Sequence, residues 1–207
     1  MQRYTPATLA LLLLSTAPGV FAASNTDLSV TGIITPSSCT PNLSGGGVID
    51  HGKLTGKDLD QDLPTRLAPG EMQFEVHCEG ATFFTLTTVD NRAGTSAINP
   101  AHHGLGMVND NQKLGSVALG VFEPIADNVA VQTIMSRDGG ASWGPSSYLG
   151  HMALTSFAVA TDTSTPIALQ DLTARLRAFT VIAPASSLTL LDEVPIDGHA
   201  TLQLKYW

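Results

Sequence analysis

Residues 200–207 read Ala-Thr-Leu-Gln-Leu-Lys-Tyr-Trp, with apolar and polar side chains in alternation. A period of two residues is typical of a β-strand that lies with one face against a hydrophobic core. The stretch therefore predicts a strand at the C-terminal end of the sequence. The core-facing side chains of this strand are Ala200, Leu202, Leu204 and Tyr206, and Trp207 follows them.

A second alternating stretch lies near the N-terminus. Leu28, Val30, Gly32 and Ile34 would share one face of an extended chain. The segment 23–35 that contains them would span about 43 Å at roughly 3.3 Å per residue. That length is enough for the segment to run along a whole β-sandwich.

Residues 1–22 have the pattern of a secretory signal peptide. Arg3 supplies the positive charge, residues 7–14 form an apolar run, and Ala22 is a small residue suited to cleavage. The apolar run is shorter than the roughly 20 residues that cross a bilayer comfortably. We therefore expect cleavage after Ala22 and export of the mature chain, without direct membrane insertion.

The charge of the sequence argues against several kinds of partner. It contains 10 Lys and Arg residues against 18 Asp and Glu residues, and cleavage removes Arg3, so the mature chain carries a net charge of −9. Nucleic-acid binding depends on clustered Lys and Arg side chains. The composition therefore excludes nucleic acid and disfavours anionic lipid surfaces.

Cys39 and Cys78 are the only cysteines of the sequence. Two cysteines in an exported protein predict a disulfide. Closing this loop would stabilise the fold by roughly 3–4 kcal/mol in the chain-entropy model. A redox or nucleophilic pair is the alternative, but there is no C-x-x-C spacing and no neighbouring Lys or Arg to lower a thiol pKa.

The rest of the sequence reads as strands separated by turns rich in Gly, Pro, Ser and Asn, with no convincing amphipathic helix. This pattern predicts an all-β sandwich, with one domain at 37–207 and an N-terminal extension at 23–36. Loops are expected at 37–47, 91–111 and 141–150. Strands are expected at 72–78, 83–89, 117–122, 129–135, 152–160, 172–181 and 188–191, besides the terminal strand.

No motif indicates an enzyme, a metal site or a cofactor. Asp58, Asp60 and Asp62 have the spacing that opens a calcium loop, but the glycine and the closing glutamate of that loop are missing. His102 and His103 share no metal-ligand spacing with the other histidines. The serines lack a G-x-S-x-G elbow. We therefore expect no catalytic residue, no metal and no cofactor.

The order of these features resembles that of pilin subunits of chaperone–usher fimbriae. The similarity is sharpest at Val30–Ile33 leading to Cys39, and at Asp197–Tyr206. The ending looks most like a group of fimbrial-like proteins long catalogued as a domain of unknown function. The resemblance implies an incomplete immunoglobulin-like β-sandwich that lacks its final strand, and an extended N-terminal donor strand.

In that family a periplasmic chaperone first fills the groove left by the missing strand. At the outer-membrane usher, the N-terminal extension of the neighbouring fimbrial subunit then replaces the chaperone, a form of β-augmentation. The resemblance thus implies a fimbrium on the cell surface, reached through the periplasm. It makes Leu28, Val30, Gly32 and Ile34 the donor residues. It makes the strand from Ala200 through Leu202, Leu204 and Tyr206 to Trp207 the chaperone-binding strand.

Two alternatives remain open at this stage. Leu28–Ile34 could be the first strand of a closed sandwich that is complete by itself. The protein could also be a free-standing exported module that binds sugar or protein through surface loops such as Ala141–Tyr148, which contains Trp143.

Overall fold

The fold is given by a computed structural model that describes residue 29 and residues 38–206. Strands dominate, and within the described part of the chain the helices are three short 3₁₀ turns, at Ser44–Gly47, Gly56–Asp58 and Ala185–Ser187. None of the helices among these residues is long and apolar enough to cross a membrane. The predicted all-β class is confirmed.

Fifteen strands are numbered in chain order. They are β1 (Cys39–Leu43), β2 (Thr65–Arg66), β3 (Gly70–Thr82), β4 (Phe84–Asp90), β5 (His103–Gly104), β6 (Met107–Val108), β7 (Gln112–Lys113), β8 (Gly115–Ala126), β9 (Val129–Ala130), β10 (Gln132–Ser136), β11 (Gly144–Pro145), β12 (Tyr148–Leu149), β13 (Leu154–Ala158), β14 (Leu169–Ile182) and β15 (Ala200–Tyr206).

Two antiparallel sheets make up most of the domain. The first sheet has the order β1-β3-β14-β8-β12, with β2 added to β14 and with β5 and β9 added to β8. The second sheet has the order β11-β10-β13-β4-β15. β6 and β7 form a separate hairpin. Each large sheet therefore ends on one side in a strand, β1 or β15, that comes from one end of the described chain.

The long strands form where the sequence alternates. In β3, Met72, Phe74, Val76 and Cys78 are buried and the residues between them are exposed, as the period of two predicts. β14 shows the same alternation and pairs with β3 on one side and β8 on the other. The sheet therefore presents one apolar face toward the second sheet.

The main core lies between the two sheets. Phe74 and Val121 of the first sheet and Leu86 and Phe157 of the second are fully buried. The rings of Phe84 and Phe157 meet edge to face with their centres 6.2 Å apart. Burying one such side chain contributes about 1.5–3 kcal/mol. This packing accounts for the β-sandwich.

Five predicted segments differ from the structure. The predicted loops at 91–111 and 141–150 contain four two-residue strands, β5, β6, β11 and β12. The 37–47 loop contains β1, because Cys39 to Leu43 pair in register with Cys78 to Phe74 despite Pro41. The 129–135 strand is divided into β9 and β10. The 188–191 strand is absent. There Leu188 follows a 3₁₀ turn and is buried in a second apolar cluster, so packing of a single side chain replaces strand pairing.

Glu123 lies at a β-bulge in β8. The pairing of β8 with β14 shifts between Thr173 and Arg175, so that Glu123 and Pro124 together face the single residue Ala174. Glu123 has a φ of 51°, in the left-handed region that a side chain disfavours. The carboxylate of Glu123 accepts a hydrogen bond from the Arg175 guanidinium, which holds the pKa of this carboxyl below its ordinary value.

Glycine at position 123 is expected to relieve this backbone strain. Glu123→Gly removes both the strain and the ion pair, whereas Glu123→Gln removes only the ion pair. We expect Glu123→Gly to be more stable than Glu123→Gln by about 1 kcal/mol in urea unfolding of the mature chain. Equal stability of the two variants would show that the left-handed conformation at Glu123 carries no cost.

Candidate functional site

β15 has one free edge in the described part of the chain. It pairs with β4 in register from Ala200↔Asp90 to Tyr206↔Phe84, and no described strand pairs with its other side. Leu202 and Leu204 are half-buried and pack against the main core. The C-terminal strand therefore faces the core through Leu202 and Leu204, whereas Tyr206, predicted to face the core as well, is 43% exposed. Half of the backbone hydrogen-bonding groups of β15 point away from the sheet.

β1 ends the other sheet in the same way. It pairs only with β3 among the described strands, and the Cys39–Cys78 disulfide attaches its first residue to that neighbour. The predicted disulfide is confirmed. Leu43, at the far end of β1, is half-buried against the main core, and the three residues between Cys39 and Leu43 are exposed.

The free edges of β1 and β15 lie beside each other. At one end, the backbone N–H of Cys39 donates a hydrogen bond to the Tyr206 hydroxyl at 2.7 Å. At the other end, Leu43 and Leu202 line a common cavity of about 350 Å³. Cys39 begins β1 and Tyr206 ends β15, so the two strands run in opposite directions. We call the space between these strands the edge groove.

The edge groove continues into the core as a cavity of about 200 Å³. Apolar side chains from both sheets line it, including Met72, Leu176 and Leu202. The described lining residues include no Asp, Glu, Lys or Arg. The surface beneath the open edges is therefore mainly apolar. The polar side chains that line it are His51, Thr88, Thr180 and His199.

A larger cleft of about 880 Å³ adjoins the edge groove. Two irregular segments line it, residues 49–56 after β1 and residues 190–196 before β15. An ion pair between Lys53 and Glu193 joins the segments, but these side chains are 79% and 86% exposed. Exposed pairs of this kind stabilise a fold by about 1 kcal/mol or less. The cleft is therefore only weakly closed.

Thr88 forms part of the floor of the edge groove. It faces Leu202 across the β4–β15 pairing, and its Oγ1 lies 2.7 Å from Nε2 of His103. His103 is 1% exposed, and burial lowers the pKa of its imidazole. The ring of His103 meets the ring of His151 edge to face, with centres 5.2 Å apart. A pair of histidines thus lies directly behind the groove.

The acidic residues that have the spacing of a calcium loop accept hydrogen bonds from neighbouring groups of their own loop. Asp58 accepts hydrogen bonds from the backbone and hydroxyl of Thr55, at 2.7 and 2.8 Å. Asp60 accepts from the backbone N–H groups of Asp62 and Leu63, both at 2.9 Å. These bonds hold the pKa of both carboxyls below the ordinary value. Within the described chain, no three His, Cys, Asp or Glu side chains are placed to hold a metal ion.

The aromatic residues of the 141–148 loop are tied to their own domain. The Trp143 indole donates to the Gly140 carbonyl at 3.0 Å, and the Tyr148 hydroxyl donates to the Ala101 carbonyl at 2.6 Å. The hydroxyls of Ser136 and Ser142 hold the pKa of the Asp138 carboxyl far below its ordinary value. These contacts anchor the loop to the rim of the sandwich.

The structure brings together only part of the predicted site. Cys39, Cys78 and the strand from Ala200 to Tyr206 meet around the edge groove. The predicted donor residues Leu28, Val30, Gly32 and Ile34 lie outside the described residues, as does Trp207.

Sequence reasoning missed the opposite wall of the edge groove, which is β1 with Leu43, and the pairing of Thr88 with His103. One signal for β1 was available. A disulfide to Cys78, which lies in a strongly alternating strand, places the residues after Cys39 beside that strand.

Comparisons with known proteins show similarity to a family over part of the chain. Residues 28–115 match a family described as "Protein of unknown function (DUF1120)". The chain is similar to this family over that segment. It is 25% identical to Protein GltF of Escherichia coli (strain K12), in a match that covers 89% of each chain. It is 26% identical to the Uncharacterized protein YhcF of the same strain, over 47% of this chain and 50% of that protein.

Proposed function

We propose that the protein is a structural, non-enzymatic subunit of a chaperone–usher fimbrium, which polymerises by donor-strand exchange and supports adhesion at the cell surface. The observation that carries this proposal is the edge groove. β1 and β15 each leave one edge unpaired within the described chain, and apolar side chains of both sheets lie between them. An open edge beside an apolar groove suits the addition of one more strand.

The proposed occupant is Leu28–Ile34 of a second copy of the chain. Seven residues span about 23 Å when extended, and β15, which would pair with them, is also seven residues long. Leu28, Val30 and Ile34 would place apolar side chains on a surface whose described lining carries no charged residue. Chemistry and length therefore both agree with this segment as the donor.

Other partners fill the same groove at other stages of the proposed pathway. A periplasmic chaperone holds the subunit first by lending a strand that pairs with β15. The usher then exchanges this strand for the extension of the next subunit. Exchange is favourable because the subunit–subunit joint buries the groove more completely.

A truncation tests the proposal. The mature chain 23–207 and the chain 36–207 would be produced with and without a periplasmic pilus chaperone. We expect the mature chain alone to be unstable or to self-polymerise, and the chaperone to rescue it as a soluble complex. Without residues 23–35, the chain is expected to bind the chaperone but to be unable to donate a strand to another subunit.

A peptide of residues 23–36 gives the matched measurement, since it presents the donor without the rest of a second subunit. The control peptide has the same length and carries Ser in place of Leu28, Val30 and Ile34. We expect only the natural peptide to bind the mature chain. A stable monomer that binds neither peptide nor chaperone would contradict the proposal and would favour the free-standing module.

A further inference from the structure

His103 is a titratable side chain that lies directly behind the edge groove. Thr88 lines the cavity of the groove, and its hydroxyl lies at hydrogen-bond distance from Nε2 of His103. His103 itself is almost completely buried. Any change in the charge of this imidazole therefore occurs one side chain away from the surface that would receive a donor strand.

The surroundings of His103 suit the neutral imidazole. Nδ1 of His103 is buried and has no partner in hydrogen-bond geometry, and the same is true of Nδ1 of the adjacent His151. A neutral imidazole needs to donate from only one nitrogen, whereas an imidazolium donates from both. Protonation would thus bury a charged N–H that has no acceptor in good hydrogen-bond geometry, with only a smaller attraction from the Val117 backbone, and this is costly.

The charges around His103 leave this preference in place. Asp90 of β4 attracts a proton to His103, but its carboxylate already accepts hydrogen bonds from the N–H groups of Arg92 and Gly104. His102, which precedes β5, and His151, which follows β12, both repel a proton. From β8 the contribution is the Val117 backbone, which favours the proton. Burial is the largest influence, and it lowers the pKa of His103.

We propose that His103 makes the edge groove a pH-dependent strand-binding site, which holds a donor strand at neutral pH and releases its hold as His103 is protonated. This inference rests on the proposed function. A bound strand would replace the water in the cavity that Thr88 lines with apolar side chains. This disfavours a charge on the nearby His103 still further, so strand binding and protonation oppose each other. By linkage, the affinity for the strand is highest while His103 is neutral. It falls as the pH drops below the pKa of His103 in the unoccupied protein, by at most about tenfold per pH unit.

The test measures binding of a fluorescent peptide of residues 23–36 to the mature chain. Dissociation constants would be compared at about pH 7.5 and about pH 5, on either side of the range in which histidine titrates. We expect binding to be several-fold weaker at the lower pH, within the limit of about tenfold for each pH unit below the pKa of His103 in the unoccupied protein. Thermal unfolding at each pH would confirm that the comparison is made between folded samples.

Matched variants assign the effect to one histidine. His103→Gln keeps a hydrogen-bonding group beside Thr88 without a titrating ring, and we expect it to bind with nearly equal affinity at both pH values. His77→Gln is the control, since His77 is an exposed residue of β3 that is paired with Asp171, and we expect it to retain the pH dependence. If His103→Gln does not fold, His151→Gln replaces it. Removal of the repelling neighbour should move the loss of binding to higher pH.

The outcomes separate this inference from the proposed function. Equal peptide affinity at both pH values in the unmodified chain would overturn the role of His103 and leave the groove intact. Full pH dependence in His103→Gln would transfer the effect to His51 or His199, which also line the cavity, and would likewise overturn it. No peptide binding at any pH would refute the proposed function, and this inference with it.

Discussion

Leu204→Asp is expected to weaken binding of the 23–36 peptide by at least about 100-fold, equivalent to about 2.7 kcal/mol. Leu204 is half-buried, packs against the main core and faces Leu86 across the β4–β15 pairing. A carboxylate at this position would have to lose water when an apolar strand covers the groove. We expect capture by the chaperone to be lost as well, because both partners use the same surface.

Gln203→Asp provides the matched control. Gln203 is the adjacent residue of β15, and its side chain is exposed on the opposite face of the strand. The Gln203→Asp substitution introduces the same charge into the same strand without placing that charge in the groove. We expect Gln203→Asp to bind the peptide and the chaperone almost normally. Equal binding by the Leu204→Asp variant and the unmodified chain would rule out the groove as the binding surface.

Loss of the disulfide is expected to lower the free energy of unfolding by about 4 kcal/mol. The Cys39–Cys78 bond closes a loop with a sequence separation of 39, and this figure follows from the entropy of such a loop in the unfolded chain. A domain of this size is stabilised by about 5–15 kcal/mol in total. The bond therefore carries a large part of the stability.

The measurement is thermal or urea unfolding of the Cys39→Ser/Cys78→Ser double variant. At about 2–4 °C per kcal/mol for a domain of this size, we expect the melting temperature to fall by roughly 8–16 °C. Reduction of the unmodified chain should reproduce the change, and reduction should have no effect on the double variant. A shift of the unfolding free energy below about 1 kcal/mol would show that β1 is held by its ladder with β3 alone.

The disulfide has a second consequence for the groove. β1 is five residues long, and its three middle residues are exposed. Its attachment depends on the pairing with β3, the disulfide at Cys39 and the packing of Leu43. Because β1 forms one wall of the edge groove, we expect the double variant to bind the donor peptide more weakly even at temperatures where it remains folded.

Strands in which apolar and polar residues alternate could be predicted from the sequence, because the pattern involves only residues two positions apart. The strand containing Phe74 and Val76 and the terminal strand containing Leu202 and Leu204 were predicted in this way. The prediction of a strand at 188–191 was wrong because it, too, relied on the local pattern alone. Its apolar run has no partner strand, and Leu188 instead fills a gap in the second cluster.

Other features depend on residues that are distant in the sequence. Pro41 and the glycines at 45–47 made β1 look like a loop, and only pairing with β3 stabilises it as a strand. The bulge at Glu123 follows from the register of two long strands, which no local pattern encodes. The contact between Thr88 and His103 depends on how the chain between them packs against the sandwich.

The sequence by itself determined the all-β class, the cysteine pair and the apolar face of the terminal strand, because alternation and cysteine content are local properties of the chain. Only the tertiary structure decided that Leu43 and Leu202 would line one groove and that His103 would lie behind it. The physical reason is that a groove exists only between two backbones. Its depth, its open edges and its buried polar groups arise when strands far apart in the chain are held side by side by a shared core.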